Sequence, residues 1–297
     1  MFLERAPRPS LRPFVKSLWV CLELPRPGVE RELLLPSATL RIVFRLTHAL
    51  RTFTTADAAL GHDAGFVNVG GPRATAYVRD VSRPALSVGA ELEPGAGAWF
   101  LGVPADELAA RHTPLCELWG AEAALTRERL LETATPARQL DVLEAALLAR
   151  LAQVPSYSPV LAQALTCFAQ RSEVSDVVAA SRYSHRHFVE LFRRSVGLPP
   201  KLYTRVARFQ RALKLARGAR APSWAELAVL AGYSDQAHFN REFREFTGLS
   251  PGAYQRLGAR FANHVPLLES QPSAGQKSSR RGAAQPAGWS DMSREVR

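Results

Sequence analysis

Residues 174–203 read VSDVVAASRYSHRHFVELFRRSVGLPPKLY and residues 224–254 read WAELAVLAGYSDQAHFNREFREFTGLSPGAY. They are two copies of one segment. Asp176 matches Glu226 and Tyr183 matches Tyr233 at an offset of 50, which becomes 51 after one residue inserted in the second copy. His187, Phe188, Phe192 and Gly197 then match His238, Phe239, Phe243 and Gly248, and Leu198, Pro200 and Tyr203 match Leu249, Pro251 and Tyr254. A repeat of this length is one supersecondary unit used twice.

Each copy has the pattern of a helix-turn-helix. A short apolar helix (174–180 or 224–230) runs into a break carrying Ser181 or Gly232. Ser184 in copy one, and Ser234 or Asp235 in copy two, then cap a second helix. On that helix Phe188, Leu191 and Phe192, or Phe239, Phe243 and Phe246, form one buried stripe at helical spacing. The opposite stripe carries Arg186, Val189, Glu190 and Arg193, or Gln236, Asn240, Arg241 and Arg244. Gly197 and Gly248 end the helices, and prolines follow.

Between the copies runs a connecting helix that includes residues 203–216. Its inner stripe is Leu202, Val206, Phe209 and Leu213, which leaves Arg205, Arg208, Arg211 and Lys214 for solvent or phosphate. Charge follows the same division. Of the net +11, residues 1–154 contribute 17 − 17 = 0, residues 155–260 contribute 16 − 7 = +9 and residues 261–297 contribute 5 − 3 = +2. A basic excess that coincides with the repeat is what a phosphate-binding surface requires.

The repeat and its connecting helix, roughly residues 158–260, resemble the DNA-binding domain of AraC-type bacterial transcription regulators. GYSDQAHFNREFREFTGLSPGAY is close to that family's signature. The resemblance implies two helices entering successive major grooves, roughly 34 Å apart. The base-facing positions it implies are Arg186, Val189 and Glu190 in copy one and Gln236, Asn240 and Arg241 in copy two. Arginine forks onto guanine, asparagine and glutamine onto adenine, and glutamate accepts from cytosine. Val189 and Glu190 stand where longer polar or basic residues are common in the family, so the firmer base contacts are expected from copy two. Arg193, Arg194 and Arg244 are expected on phosphates, giving affinity without sequence choice. His187 and His238 read as packing or capping side chains.

The first hundred residues read as short strands. Leu40, Ile42, Phe44 and Leu46 alternate with Arg41, Val43 and Arg45, a strand with one face inward. Segments 66–69, 75–81 and 85–92 are similar, separated by turn signals, and together suggest a small β-barrel or sandwich. From residue 94 the pattern turns helical, with helices at 94–101, 104–111, 121–134 and 136–152. The last carries a leucine stripe (Leu140, Leu143, Leu147, Leu148, Leu151) suited to packing on the strands or to a dimer interface. LRPFVKSLWV, LLLPSATLRIVFRL and GAWFLGVPADELAARHTPLCELWG resemble the sensor region ahead of some AraC-type domains. The implied fold is α+β: a cupin-like barrel or sandwich at 1–152, a linker at 153–158, the all-α DNA-binding domain at 159–260 and a disordered tail at 261–297.

The resemblance implies a transcription regulator acting on double-stranded DNA, controlled by a small-molecule effector, with a homodimer and an RNA polymerase contact as further expectations. Rival readings are a cupin-like enzyme with an added DNA-binding domain and a signal-independent structural DNA-binding protein. No catalytic residue, metal site or cofactor is expected: His48, His62 and His112 are scattered, and neither a phosphate-cradling loop nor a nucleophile elbow is present. Three widely separated cysteines (Cys21, Cys116, Cys167) fit a reducing cytoplasm, and no apolar run approaches the ~20 residues that span a bilayer. Cys21 reads as a small buried hydrophobe before it reads as a redox sensor.

Overall fold

The computed structural model describes residues 1–151, 158–217, 222–258 and 261–268. In chain order its strands are β1 (Phe2–Arg5), β2 (Val15–Glu23), β3 (Val29–Leu34), β4 (Arg41–Arg45), β5 (Arg51–Phe53), β6 (His62–Asp63), β7 (Val67–Gly70), β8 (Tyr77–Asp80), β9 (Ala85–Leu92), β10 (His112–Pro114) and β11 (His264–Leu268). They form two antiparallel sheets, ordered β1-β2-β9-β4-β7-β10 and β11-β3-β8-β5-β6. The sheets face one another without joining among the described residues, so the sandwich rather than the closed barrel is what forms.

Alternation decides what each face of the larger sheet meets. Leu18, Val20, Ile42, Phe44, Val69, Val88 and Ala90 share its outer face and are almost completely buried. They pack under α1 (Gly97–Leu101), α2 (Cys116–Trp119), α3 (Ala121–Leu131) and α4 (Pro136–Leu151). Leu140, Leu143 and Leu147 of α4 belong to this core, with Leu148 and Leu151 packed against it, so the leucine stripe covers the sheet.

Two expectations for this half change. Residues 104–111 are not an α-helix: a 3-10 turn at Ala105–Glu107 gives way to β10. The reason is local. Ala110 takes a left-handed φ of 58° and donates its N–H to the Pro72 carbonyl at 2.9 Å, which turns the chain out of the helix. The expected disorder from residue 261 fails at its start, because His264–Leu268 pairs with β3 and buries Val265 completely. Residues 269–297 and the linker residues 152–157 lie outside the described residues.

The second half is helical throughout: α5 (Pro159–Ala169), α6 (Val174–Ser181), α7 (His185–Val196), α8 (Pro200–Leu215), α9 (Trp224–Ala231), α10 (Gln236–Thr247) and α11 (Pro251–Arg256). Copy one builds a small core from Phe168, Val177, Phe188 and Phe192. Copy two builds a larger one, in which Phe209, Phe239, Phe243 and Phe246 meet Leu35, Ala38 and Val265 of the sheet half. Edge-to-face rings recur in both, at 5.5 Å for Phe168 with Phe192 and for Phe239 with Phe243.

Candidate functional site

Both recognition helices start and stop on the residues the sequence marks. Ser184 accepts from the His187 N–H at the start of α7, and Asp235 accepts from the His238 N–H at the start of α10. Gly197 and Gly248 end them at φ 89° and 72°. The turns differ. Copy two uses Gly232 at φ 99°, whereas copy one forces Arg182 into the same left-handed region at φ 61°. His187 is exposed, its ring edge-on to Tyr183 at 4.6 Å. His238 lies 3.1 Å from the Ser234 hydroxyl and beside the Tyr233 ring.

The expected base-facing side chains share the outer faces of these helices. Gln236, Arg241 and Arg244 are exposed on α10 with Asn240 half-buried, while Arg186, Glu190 and Arg194 are exposed on α7 with Val189 half-buried. Arg193 is held differently. It forms a bidentate pair with Glu190 one turn away and a second pair, 3.1 Å long, with Asp106 of the sheet half.

The connecting helix is also more engaged than its pattern suggests. Arg205 and Arg208 of α8 both reach Glu242 on the inner side of α10, at 3.4 and 2.8 Å, and Arg205 also binds Glu245. The Glu242 side chain is 4% exposed. It also takes a 3.4 Å hydrogen bond from the Tyr233 hydroxyl. Arg211 caps the Ala231 carbonyl at the end of α9. These arginines fix the angle of copy two instead of waiting for phosphates; of the four, Lys214 is exposed. Glu242 escapes sequence reading because one glutamate among the charges of α10 looks like surface.

Each copy is docked on the sheet half. A β-carbon on Gly197 would overlap Pro72 and crowd the Ala105 carbonyl at 2.9 Å, so the end of α7 sits directly on the 3-10 turn. Near copy two, Gln210 of α8 donates to the Pro36 carbonyl and, at 2.9 Å, to the Asn263 side chain. Asn263 precedes β11 and its carbonyl accepts from the Leu35 N–H.

Between the two sheets lies a cavity of about 250 Å³, lined by charged and polar side chains set among aromatic and aliphatic ones. The residues alternating with the core of the larger sheet point into it: Ser17, Trp19 and Cys21 from β2, Arg41, Val43 and Arg45 from β4, Asn68 and Gly70 from β7, Ser87 and Glu91 from β9. Phe261, Ala262, Asn263 and His264, following the helical half, complete the wall. The alternation at Arg41–Arg45 predicts one face inward; a second sheet covers the other face as well. Burial and the nearby Arg73 and Arg45 push His112 down to about 3, so it lines the cavity as a neutral imidazole.

Glu23, Glu32 and His264 gather on one side of this cavity with ligand atoms within 4.8 Å of one another, a trio the sequence does not announce. Arg79 already supplies the cation there. It binds Glu23, lies 2.8 Å from Glu32 and 3.0 Å from His264. Although burial opposes it, the His264 contact and Arg79 hold Glu32 at about 2. The cluster is an ion network tying β11 to β2, β3 and β8.

A profile of the helix-turn-helix domain family matches residues 177–257, and a domain of unknown function, DUF6597, matches residues 3–114. Similar solved structures include ToxT from Vibrio cholerae O395, 8% identical with TM-score 0.43, over 85% of this chain and 96% of that one. An apo ToxT variant from V. cholerae strain SCE256 is 10% identical with TM-score 0.44, over 84% and 98%. A comparison with curated proteins finds no match. No helix among the described residues is long and apolar enough to cross a membrane. With the duplicated helices, their caps and the basic outer faces in place, residues 177–257 form an AraC-type helix-turn-helix domain and the chain is a DNA-binding transcription regulator.

Proposed function

We propose that the protein binds a specific promoter sequence through α10 and α7 and that a small molecule in the inter-sheet cavity controls this binding. Gln236, Asn240 and Arg241 carry most of the base reading, Arg186, Val189 and Glu190 the remainder, and Arg194 and Arg244 the phosphates. Arg193 joins the phosphate ligands only when its pair with Asp106 opens. The observation behind the control is shared structure: Asn263 is both cavity wall and the partner of Gln210 on α8, the helix that spaces the two reading heads. A shift of that wall on filling the cavity would move α8. Homodimerisation and contact with RNA polymerase belong to the same reading.

The test is footprinting on DNA upstream of the protein's own gene at two salt concentrations, with wild type, Arg241→Ala and Gln210→Ala. A discrete site about two helical turns long, weakened by Arg241→Ala at both salts, is expected. Gln210→Ala should leave that site and abolish its response to small molecules. Smeared, salt-sensitive protection indifferent to Arg241 would return the protein to a structural DNA-binding role.

A further inference from the structure

The inter-sheet cavity holds a cation that the fold leaves unused. Resting on the reading of that cavity as the signal site, we propose that it takes an organic monocarboxylate, seated on Arg45 and Asn68 with its apolar body along Trp19. Arg45 is 6% exposed and Asn68 1%, and both side chains point into the cavity. The Nε of Arg45 and the Nδ2 of Asn68 are buried without a hydrogen-bond partner. Neither belongs to the ion pairs described above, although buried donors ordinarily find partners. Val43 is paired with Asn68 on β7 and lies two residues from Arg45, so the two donors are diagonal neighbours on one face of the sheet.

Charge sets the valence of the guest. The lining has three arginines, Arg41, Arg45 and Arg79, and three glutamates, Glu4, Glu23 and Glu91. Arg79 is spent on Glu23 and Glu32, and Arg41 on Glu91, which Lys16 also meets. Arg45 alone among the three has no ion pair within the described residues. Glu23 and Glu91 are paired and Glu4 is exposed to solvent, so one open guanidinium beside them balances a single negative charge and leaves the second charge of a dianion such as phosphate without a partner. Burial, helped by Arg79, pushes Arg45 down to about 10, which leaves it charged at neutral pH.

Shape sets the body of the guest. Gly89 lies under the Trp19 ring, where a β-carbon would overlap it, so the indole lies flat on the strand and offers a broad apolar floor. Phe2 and Phe261 meet edge-to-face at 5.4 Å and close the rim. The volume of about 250 Å³ is at the small end for ligand sites, which favours a compact acid.

The experiment titrates the full chain with benzoate, 3-phenylpropionate and hexanoate and with their neutral amides, by calorimetry and by the fluorescence lost on mutating Trp19→Phe. At least one acid should bind the wild type, its amide at least tenfold more weakly. Arg45→Met should weaken the acid at least tenfold and Asn68→Ala about threefold. Arg45→Met should also raise the melting temperature by about 2–4 °C, since it removes an unpaired buried charge. Acids that bind nowhere, or bind Arg45→Met as well as wild type, overturn the assignment, as does a lowered melting temperature for that variant. Amides that quench Trp19 in both proteins and alter DNA binding would overturn the carboxylate while leaving the cavity as the sensor. An acid that binds through Arg45 without altering DNA binding would do the reverse.

Discussion

The two helix-turn-helix copies share a backbone and divide the labour. In copy two the inner side of α10 is anchored by the buried Glu242, held by Arg205, Arg208 and Tyr233 with His238 3.8 Å away, and the outer side stays open. In copy one Glu190 turns outward to Arg193, and Arg193 reaches back to Asp106 of the sheet half. A repeat therefore does not imply two equal reading heads. Copy two is braced from inside its own domain, and copy one is steadied by the domain that would sense the signal.

Removing Glu242 from α10 and Glu190 from α7, acids at unmatched positions of the repeat, separates the two copies most directly. Glu242→Ala should cost about 3 kcal/mol in denaturant unfolding, because Arg205, Arg208 and Tyr233 lose a buried partner. Glu190→Ala should stay within about 0.5 kcal/mol, its pair being half exposed. Equal losses would mean that both copies are braced alike. The matched glycines come next. Gly197→Ala combines left-handed strain with overlap on Pro72 and should cost about 3 kcal/mol, whereas Gly248→Ala, with open space around it, should cost about 1 kcal/mol.

Function sharpens the contrast at a smaller scale. Arg241→Ala should weaken specific DNA binding by about 1–3 kcal/mol and relax one base position, with Val189→Ala changing much less. A selection on randomised operators, read for each variant, would expose the reverse order. Smallest of all, Arg182→Gly should stabilise copy one by at most about 1 kcal/mol by giving its turn the residue copy two already has.

Much of this molecule is legible in its sequence where one signal repeats. Phenylalanines at helical spacing, Ser184 and Asp235 as caps, and glycine then proline at each end all specify the same local structure twice. The cavity was hidden for a physical reason. Arginines alternating with Ile42 and Phe44 look like a solvent face, and only the second sheet, assembled from distant strands, turns that face into an interior. Glu242 was hidden because its partners lie 34 and 37 residues away on α8. The strand at His264–Leu268 was hidden by Pro266, which argues against a strand, yet β11 is an edge where a missing N–H costs little.

That edge strand has a consequence for how the protein is made. His264 meets Glu32 across 232 residues of sequence, so the smaller sheet lacks its last strand until the whole DNA-binding half has been synthesised. Until then β3 offers an open edge to any neighbouring chain. A nascent or truncated chain ending near residue 258 would have its reading helices and an adhesive sheet, and closing that edge would be the last step of its maturation.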